Sequence, residues 1–176
     1  KEIFFHIYAN RQYTDEEKKF IFRYGSYFKV NPFPEGFQSG KTEIRTIHAG
    51  SQVLSFFIEG EDQTLLRIPL SQELQPGESI ELKIDFTVHI PHAYGRFGFH
   101  EKIFALSRWY PILSVVNDTG WDKAPFYPFH RPFFSEAAYY SVRLQVPRNY
   151  VVIHSGKTKL VEDHLEKKIL QMETAN

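Results

Sequence analysis

A chain of 176 residues, 42% hydrophobic and 24% charged, has the make-up of an ordinary globular protein and is long enough to bury one sizeable core. Twenty-one basic residues balance twenty-one acidic ones, which excludes a net field that would gather nucleic acid or an anionic membrane. Zero cysteines exclude disulfides and thiolate metal sites without separating a cytoplasmic from an extracytoplasmic home, and no apolar run approaches the roughly 20 residues that span a bilayer or reads as a signal peptide.

Seventeen Phe and ten Tyr, with two Trp, bring the aromatic share to 16%, and such rings favour the pleated, half-buried surface of a sheet. The first predicted strand covers residues 2–9, from Glu2 to Ala9, where Ile3, Phe4, Phe5, Ile7 and Tyr8 give apolar groups on both faces and little charge. Thr14-Asp15-Glu16-Glu17 reads as a capping box ahead of Phe20, Ile21 and Tyr24, which predicts one short helix near residues 15–24. Residues 43–49 and 52–59 follow as strand signals rich in Ile, Val and Phe. Gln75-Pro76-Gly77-Glu78 is a turn by its Pro-Gly pair, so residues 65–70 and 79–88 are predicted neighbours.

Residues 79–88 alternate with period two: Ile80, Leu82, Ile84, Phe86 and Val88 point one way, and Glu81, Lys83, Asp85 and Thr87 the other. From Pro91 to Pro132 alternation stops and Gly, Pro and aromatic residues crowd together. That stretch is read as short strands and turns packed by their own rings, since a structureless loop of such length does not suit a compact domain. Alternation returns over residues 140–146, with Tyr140, Val142, Leu144 and Val146 on one face, and residues 150–154 give a further strand signal. Residues 161–172 stay open. Val161, Leu165, Ile169 and Met172 share one helical face, while 168–173 fits a strand at a sheet edge equally well. With no βαβ rhythm, repeat or linker, the fold class is all-β, a mostly antiparallel two-sheet saddle or sandwich with one short helix, in a single domain over residues 1–176.

Each chemical motif has a plainer reading beside it. His100-Glu101-Lys102-Ile103-Phe104 begins like a zincin helix, but Phe104 stands where the second zinc-binding His is needed, and Gly98 argues against a helix. His89 and His92 straddle Ile90-Pro91, whose extended backbone spoils a helical pairing, and His6, His48 and His154 read as core or sheet-surface residues. There is no Gly-x-Ser-x-Gly elbow, and Gly95-Arg96-Phe97-Gly98 reads as a turn displaying Arg96 rather than a phosphate cradle. No catalytic residue and no metal ligand is therefore assigned. Trp109, Tyr110, Trp121, Tyr127 and Phe129 read either as a carbohydrate platform or as the apolar filling under the long connection.

Taken in order, the pieces Ile3-Phe4-Phe5-His6-Ile7-Tyr8-Ala9-Asn10, Leu74-Gln75-Pro76-Gly77-Glu78-Ser79, Gly95-Arg96-Phe97-Gly98, Trp109-Tyr110-Pro111 and Gly120-Trp121 resemble the N-terminal domain of aminopeptidase-N-like zinc metallopeptidases (peptidase family M-one, bacterial branch). Phe134-Ser135-Glu136, Tyr140-Ser141-Val142, Val146-Pro147-Arg148-Asn149-Tyr150-Val151-Val152 and Ser155-Gly156 continue the run. The resemblance implies a saddle-like β domain packed beside a thermolysin-like catalytic domain of the same polypeptide. That second domain would carry the zinc, its H-E-x-x-H ligands and the Gly-x-Met-x-Asn loop, none of which is in this chain. It also implies that the stretch at Arg108, Trp109 and Tyr110, with Arg96, faces the substrate cleft.

Two departures stand out. Tyr139 and Ser141 occupy positions where relatives usually carry acidic residues, and the family domain is expected to begin a few strands before Lys1. On that expectation the stretch from Glu2 to Ala9 is an uncovered edge through which chains self-associate. The other readings are a free-standing carbohydrate-binding β-sandwich and a domain of a catalytically inactive relative.

Overall fold

Antiparallel strands and one α-helix make up the computed structural model, which describes residues 1–127 and 134–174. Phe129, one of the candidate platform rings, lies outside the described residues. The chain forms two compact units, Lys1–Ser135 and Glu136–Asn176. The first contains β1 (Glu2–His6), a 3-10 turn (Tyr8–Asn10), helix α1 (Asp15–Tyr27), β2 (Lys41–Ala49), β3 (Gln52–Val53), β4 (Phe57–Glu59) and β5 (Leu65–Pro69). It continues with β6 (Leu82–His89), β7 (Phe97–His100), β8 (Ile103–Leu106), β9 (Ile112–Leu113), β10 (Val116–Asn117) and β11 (Gly120–Trp121).

Its two larger sheets have the orders β4-β5-β1-β9 and β3-β2-β6. Ile7, Ile47, Leu54, Leu66 and Ile68 form one buried cluster, with Phe5, Ile44, Leu82 and Ile84 packed against it. Side chains from both sheets thus share a core, which is the sandwich-like, all-β arrangement expected from the alternation. Strand β6 keeps the predicted pattern: Leu82, Ile84, Phe86 and Val88 are half-buried, while Lys83 and Asp85 are exposed.

Three expectations about pairing are corrected. The segment read as an uncovered edge is an inner strand. Glu2 to His6 of β1 lie opposite Pro69 to Leu65 of β5, and on its other side Phe5 and His6 face Leu113 and Ile112 of β9. The Ser114 N–H adds a bond to the Phe4 carbonyl at 2.9 Å. Apolar groups on both faces suit a strand covered from both sides, and a covering strand more than a hundred residues away leaves no local trace. Self-association through residues 2–9 loses its structural ground.

Second, residues 65–70 and 79–88 are not neighbours, because β5 pairs with β1 and β4 whereas β6 pairs with β2. The turn itself is present, with the Glu78 N–H donating to the Gln75 carbonyl at 3.0 Å. Turn chemistry sets the local conformation, and here the turn hands the chain from one sheet to the other. Third, residues 52–59 form two strands instead of one, β3 in the second sheet and β4 in the first.

Helix α1 matches its expected start. The Glu17 N–H donates to Thr14 Oγ1 at 3.2 Å, and the Thr14 N–H donates to Glu17 Oε2 at 2.7 Å. It runs three residues further than predicted and ends when the Val30 N–H bonds the Gly25 carbonyl at 2.9 Å and the Lys29 N–H bonds the Ser26 carbonyl at 3.1 Å. Lys29 adopts φ 57°, as the residue after the cap does in a Schellman ending.

In the second unit β12 (Ser141–Pro147), β13 (Lys157–Asp163) and β14 (Lys167–Glu173) form one antiparallel sheet in the order β12-β14-β13. Val142, Leu144 and Val146 are half-buried between exposed Arg143 and Gln145, as the alternation predicts. The open question over residues 161–172 resolves as a hairpin, and 168–173 belongs to the central strand rather than an edge. Consecutive Ile169 and Leu170 are both buried, one on each face, which is why neither period stood out. Residues 150–154 are not a strand: the Tyr150 N–H closes a turn onto the Pro147 carbonyl at 3.1 Å, so the chain leaves the ladder there.

Candidate functional site

The β7–β8 hairpin brings the cleft-facing candidates into one neighbourhood. Phe97 lies opposite Leu106, and the Ser107 N–H donates to the Arg96 carbonyl at 2.8 Å, so Arg96 adjoins the start of the 108–110 stretch. The hairpin is seated by Gly98, where an added Cβ would fall 2.5 Å from the Ala93 carbonyl oxygen. Its far end, at His100-Glu101, is a tight turn with Glu101 at φ 52°, so the zincin-like tetrad is β-hairpin and not helix.

The candidates then diverge. The Arg96 side chain is exposed. Arg108 is half-buried, takes the left-handed φ of 55° and donates from Nη1 to Ser135 Oγ at 3.4 Å. Trp109 packs against Phe86 of β6, ring centroids 6.1 Å apart, and edge-on to Tyr110 at 5.6 Å. Trp121 packs on Phe4 of β1 at 6.0 Å. Each Trp thus leans on a ring from a core strand, as apolar filling under the connection does.

Beside Arg108 lies a polar group that the sequence reading does not assemble. His6 is buried in β1 and stacks flat on Tyr8, centroids 4.9 Å apart. Its Nδ1 has no hydrogen-bond partner among the described residues. Asp62 closes one side: its carboxylate accepts the Thr64 hydroxyl at 2.8 Å and the Phe126 N–H at 2.8 Å, pinning the segment before residue 128 to the turn that leads into β5. Asp122 is fixed by its N–H to the Val115 carbonyl at 2.8 Å and caps the Ala124 N–H at 3.0 Å.

Burial holds the His6 imidazole below its ordinary pKa, against the opposing charge of Asp122, a bond to the Asp122 main chain and the charge of Asp62, while Arg108 lowers it further. Burial raises Tyr8 to about 12, with Arg108 opposing. A neutral imidazole, a protonated phenol and a half-buried guanidinium therefore share one region. They can accept, donate and neutralise a negative charge. Among the described residues no three His, Cys, Asp or Glu side chains converge as a metal-holding group.

The sign of the His6 shift gives a pH prediction. An unfolded histidine titrates near 6.5, whereas folded His6 titrates lower, so above about pH 6.5 both states are neutral and the stability is fully present. As pH falls below that value the unfolded chain binds a proton that the fold refuses, and stability declines until the folded pKa is passed. Melting curves at pH 7.5 and 5.5 are expected to differ less for His6→Gln than for the parent. Equal differences would contradict the assignment.

Comparison with protein-family models, with curated proteins and with solved structures gives no match to this chain.

Proposed function

We propose that this chain is a non-catalytic β domain of an aminopeptidase-N-like zinc metallopeptidase, packing beside the catalytic domain of the same polypeptide and forming part of the wall of its substrate cleft. The reading is carried by the ordered series of sequence pieces from Ile3 to Gly156, which runs through both units. The sandwich-like architecture of the first unit agrees with the fold that such a domain needs. The stretch Arg108, Trp109 and Tyr110, with Arg96 alongside, supplies the cleft wall. A half-buried guanidinium there is suited to donate hydrogen bonds to a peptide carbonyl or carboxylate, and a ring beside it is suited to lie along a peptide side chain. Zinc and the catalytic base belong to the partner domain, and this domain contributes binding.

A residue that only binds substrate, equally in the ground and transition states, changes KM and leaves kcat alone. In the polypeptide that includes the catalytic domain, Arg96→Ala, which removes an exposed side chain, is therefore expected to raise KM for tetrapeptides about tenfold, a cost of about 1.4 kcal/mol. The kcat for a short aminoacyl anilide and the zinc content are expected to stay as in the parent. Unchanged KM on every peptide length would overturn the cleft assignment.

A further inference from the structure

Helix α1 leaves one aromatic face uncovered, while Ile21 is half-buried and Phe22 packs edge-on against buried Phe33 at 5.4 Å. Gly25 is its buried residue, and an added Cβ there would lie 2.6 Å from the Val30 carbonyl oxygen and 2.7 Å from Pro32 Cδ, so the chain folds back tightly against that side. On the outside, Tyr27 is 82% exposed, Phe28 56%, Tyr24 52% and Phe20 45%. Exposed Phe20 and Tyr24 extend the surface, with successive rings in contact: Phe20 on Tyr24 at 6.4 Å, Tyr24 on Phe28 at 5.0 Å, and Tyr27 on Phe28 at 5.0 Å. Residues four apart line one row of a helix, so Phe20, Tyr24 and Phe28 form an aromatic row beside a second row of Lys19, Arg23 and Tyr27.

Charge is as sorted as apolarity. The acidic residues Asp15, Glu16 and Glu17 sit in the first turn. From Lys18 to Pro34 there is no acidic residue, while Lys18, Lys19, Arg23 and Lys29 carry positive charge. Lys18 is engaged by Asp15 at 3.3 Å and by the face of Phe37 at 5.0 Å. Lys19, Arg23 and Lys29 are exposed and make no ion pair among the described residues. A chain of zero net charge thus carries a local patch of uncompensated cations, and it is the local patch that acts within a Debye length of about 8–10 Å.

We propose that this face of α1, centred on Phe20, Tyr24, Tyr27 and Phe28 and rimmed by Lys19, Arg23 and Lys29, docks on the surface of an anionic lipid bilayer. Phe and Tyr rings partition to the headgroup and upper acyl region of a bilayer. Long Lys and Arg side chains beside them reach anionic headgroups while their methylenes cover apolar surface. Each cation near an anionic leaflet adds about fivefold to the affinity. The Schellman ending contributes directly, since it places Lys29 outside the helix at the same end as the most exposed ring.

The test is flotation of the 1–176 chain with phosphatidylcholine vesicles prepared with and without phosphatidylserine. Binding is expected only with the anionic lipid and is expected to fall at high salt. Arg23→Gln with Lys29→Gln should weaken it about 25-fold. Tyr27→Ser with Phe28→Ser should abolish it, and because those side chains are exposed the variant should melt as the parent does. If that double variant fails to fold, Tyr27→Ser alone serves the same purpose. Failure to float, equal binding to neutral vesicles, variants that bind like the parent, or preferential capture by an acidic apolar peptide would each overturn the lipid assignment.

Discussion

Replacing Phe4 by alanine is expected to destabilise the first unit by about 3–5 kcal/mol. Phe4 is fully buried in β1, a strand paired on both sides, with the Trp121 ring 6.0 Å away and the Lys123 ammonium 4.1 Å above the ring. Removing the phenyl group forfeits its transfer from water and leaves a cavity. The walls of that cavity are held by the ladders to β5 and β9 and cannot close in. At the 2–4 °C per kcal/mol usual for chains of this size, the melting temperature should fall by roughly 6–20 °C. Both tryptophans lie in the first unit, so their fluorescence in urea reports this unit alone. Phe28→Ala is the control, for its ring is exposed and the change should stay within about 0.5 kcal/mol. A Phe4→Ala chain that unfolds like the control would mean that β1 is not an inner strand, and would restore the uncovered-edge reading of residues 2–9.

That contrast marks where sequence reasoning holds and where it stops. The alternation at Leu82, Ile84, Phe86 and Val88 and at Val142, Leu144 and Val146 was legible because each strand has one wet face and one packed face. The start of α1 was legible because a capping box is chemistry between Thr14 and Glu17, three residues apart. Pairing is another matter. What covers Phe5 and His6 is Leu113 and Ile112, and nothing near residue 5 encodes that. The Gln75–Glu78 turn was recognised, yet the destination of β6 is decided by where Ile84 meets the core with Ile47, not by the turn. In β14 the adjacent apolar pair Ile169 and Leu170 is what a strand buried on both faces requires, and it hides the period that would have separated strand from helix.

The site shows the same division. Arg96, Arg108, Trp109 and Tyr110 were singled out through resemblance, and the hairpin of β7 and β8 sets the Arg96 backbone against Ser107, next to the start of the 108–110 stretch. His6, Tyr8, Asp62 and Asp122 went unassembled because they converge from separate strands and turns with no common spacing. The one local signal was a histidine set among Phe4, Phe5 and Ile7, a titratable group in an otherwise apolar strand.

The claim that this domain supplies binding and not chemistry meets its most direct test in zinc content and aminoacyl-anilide hydrolysis, measured side by side. One sample is residues 1–176, and the other is the longer polypeptide that the proposal calls for. Hydrolysis of this kind needs a metal-polarised carbonyl and a base poised to activate water, so it needs ligands converging on one point. The proposal places that set in the other domain. The account expects well under one zinc per chain and no turnover from residues 1–176 after dialysis, against one zinc and measurable turnover from the longer polypeptide. Stoichiometric zinc with anilide hydrolysis from residues 1–176 alone, or a longer polypeptide with neither, would contradict it.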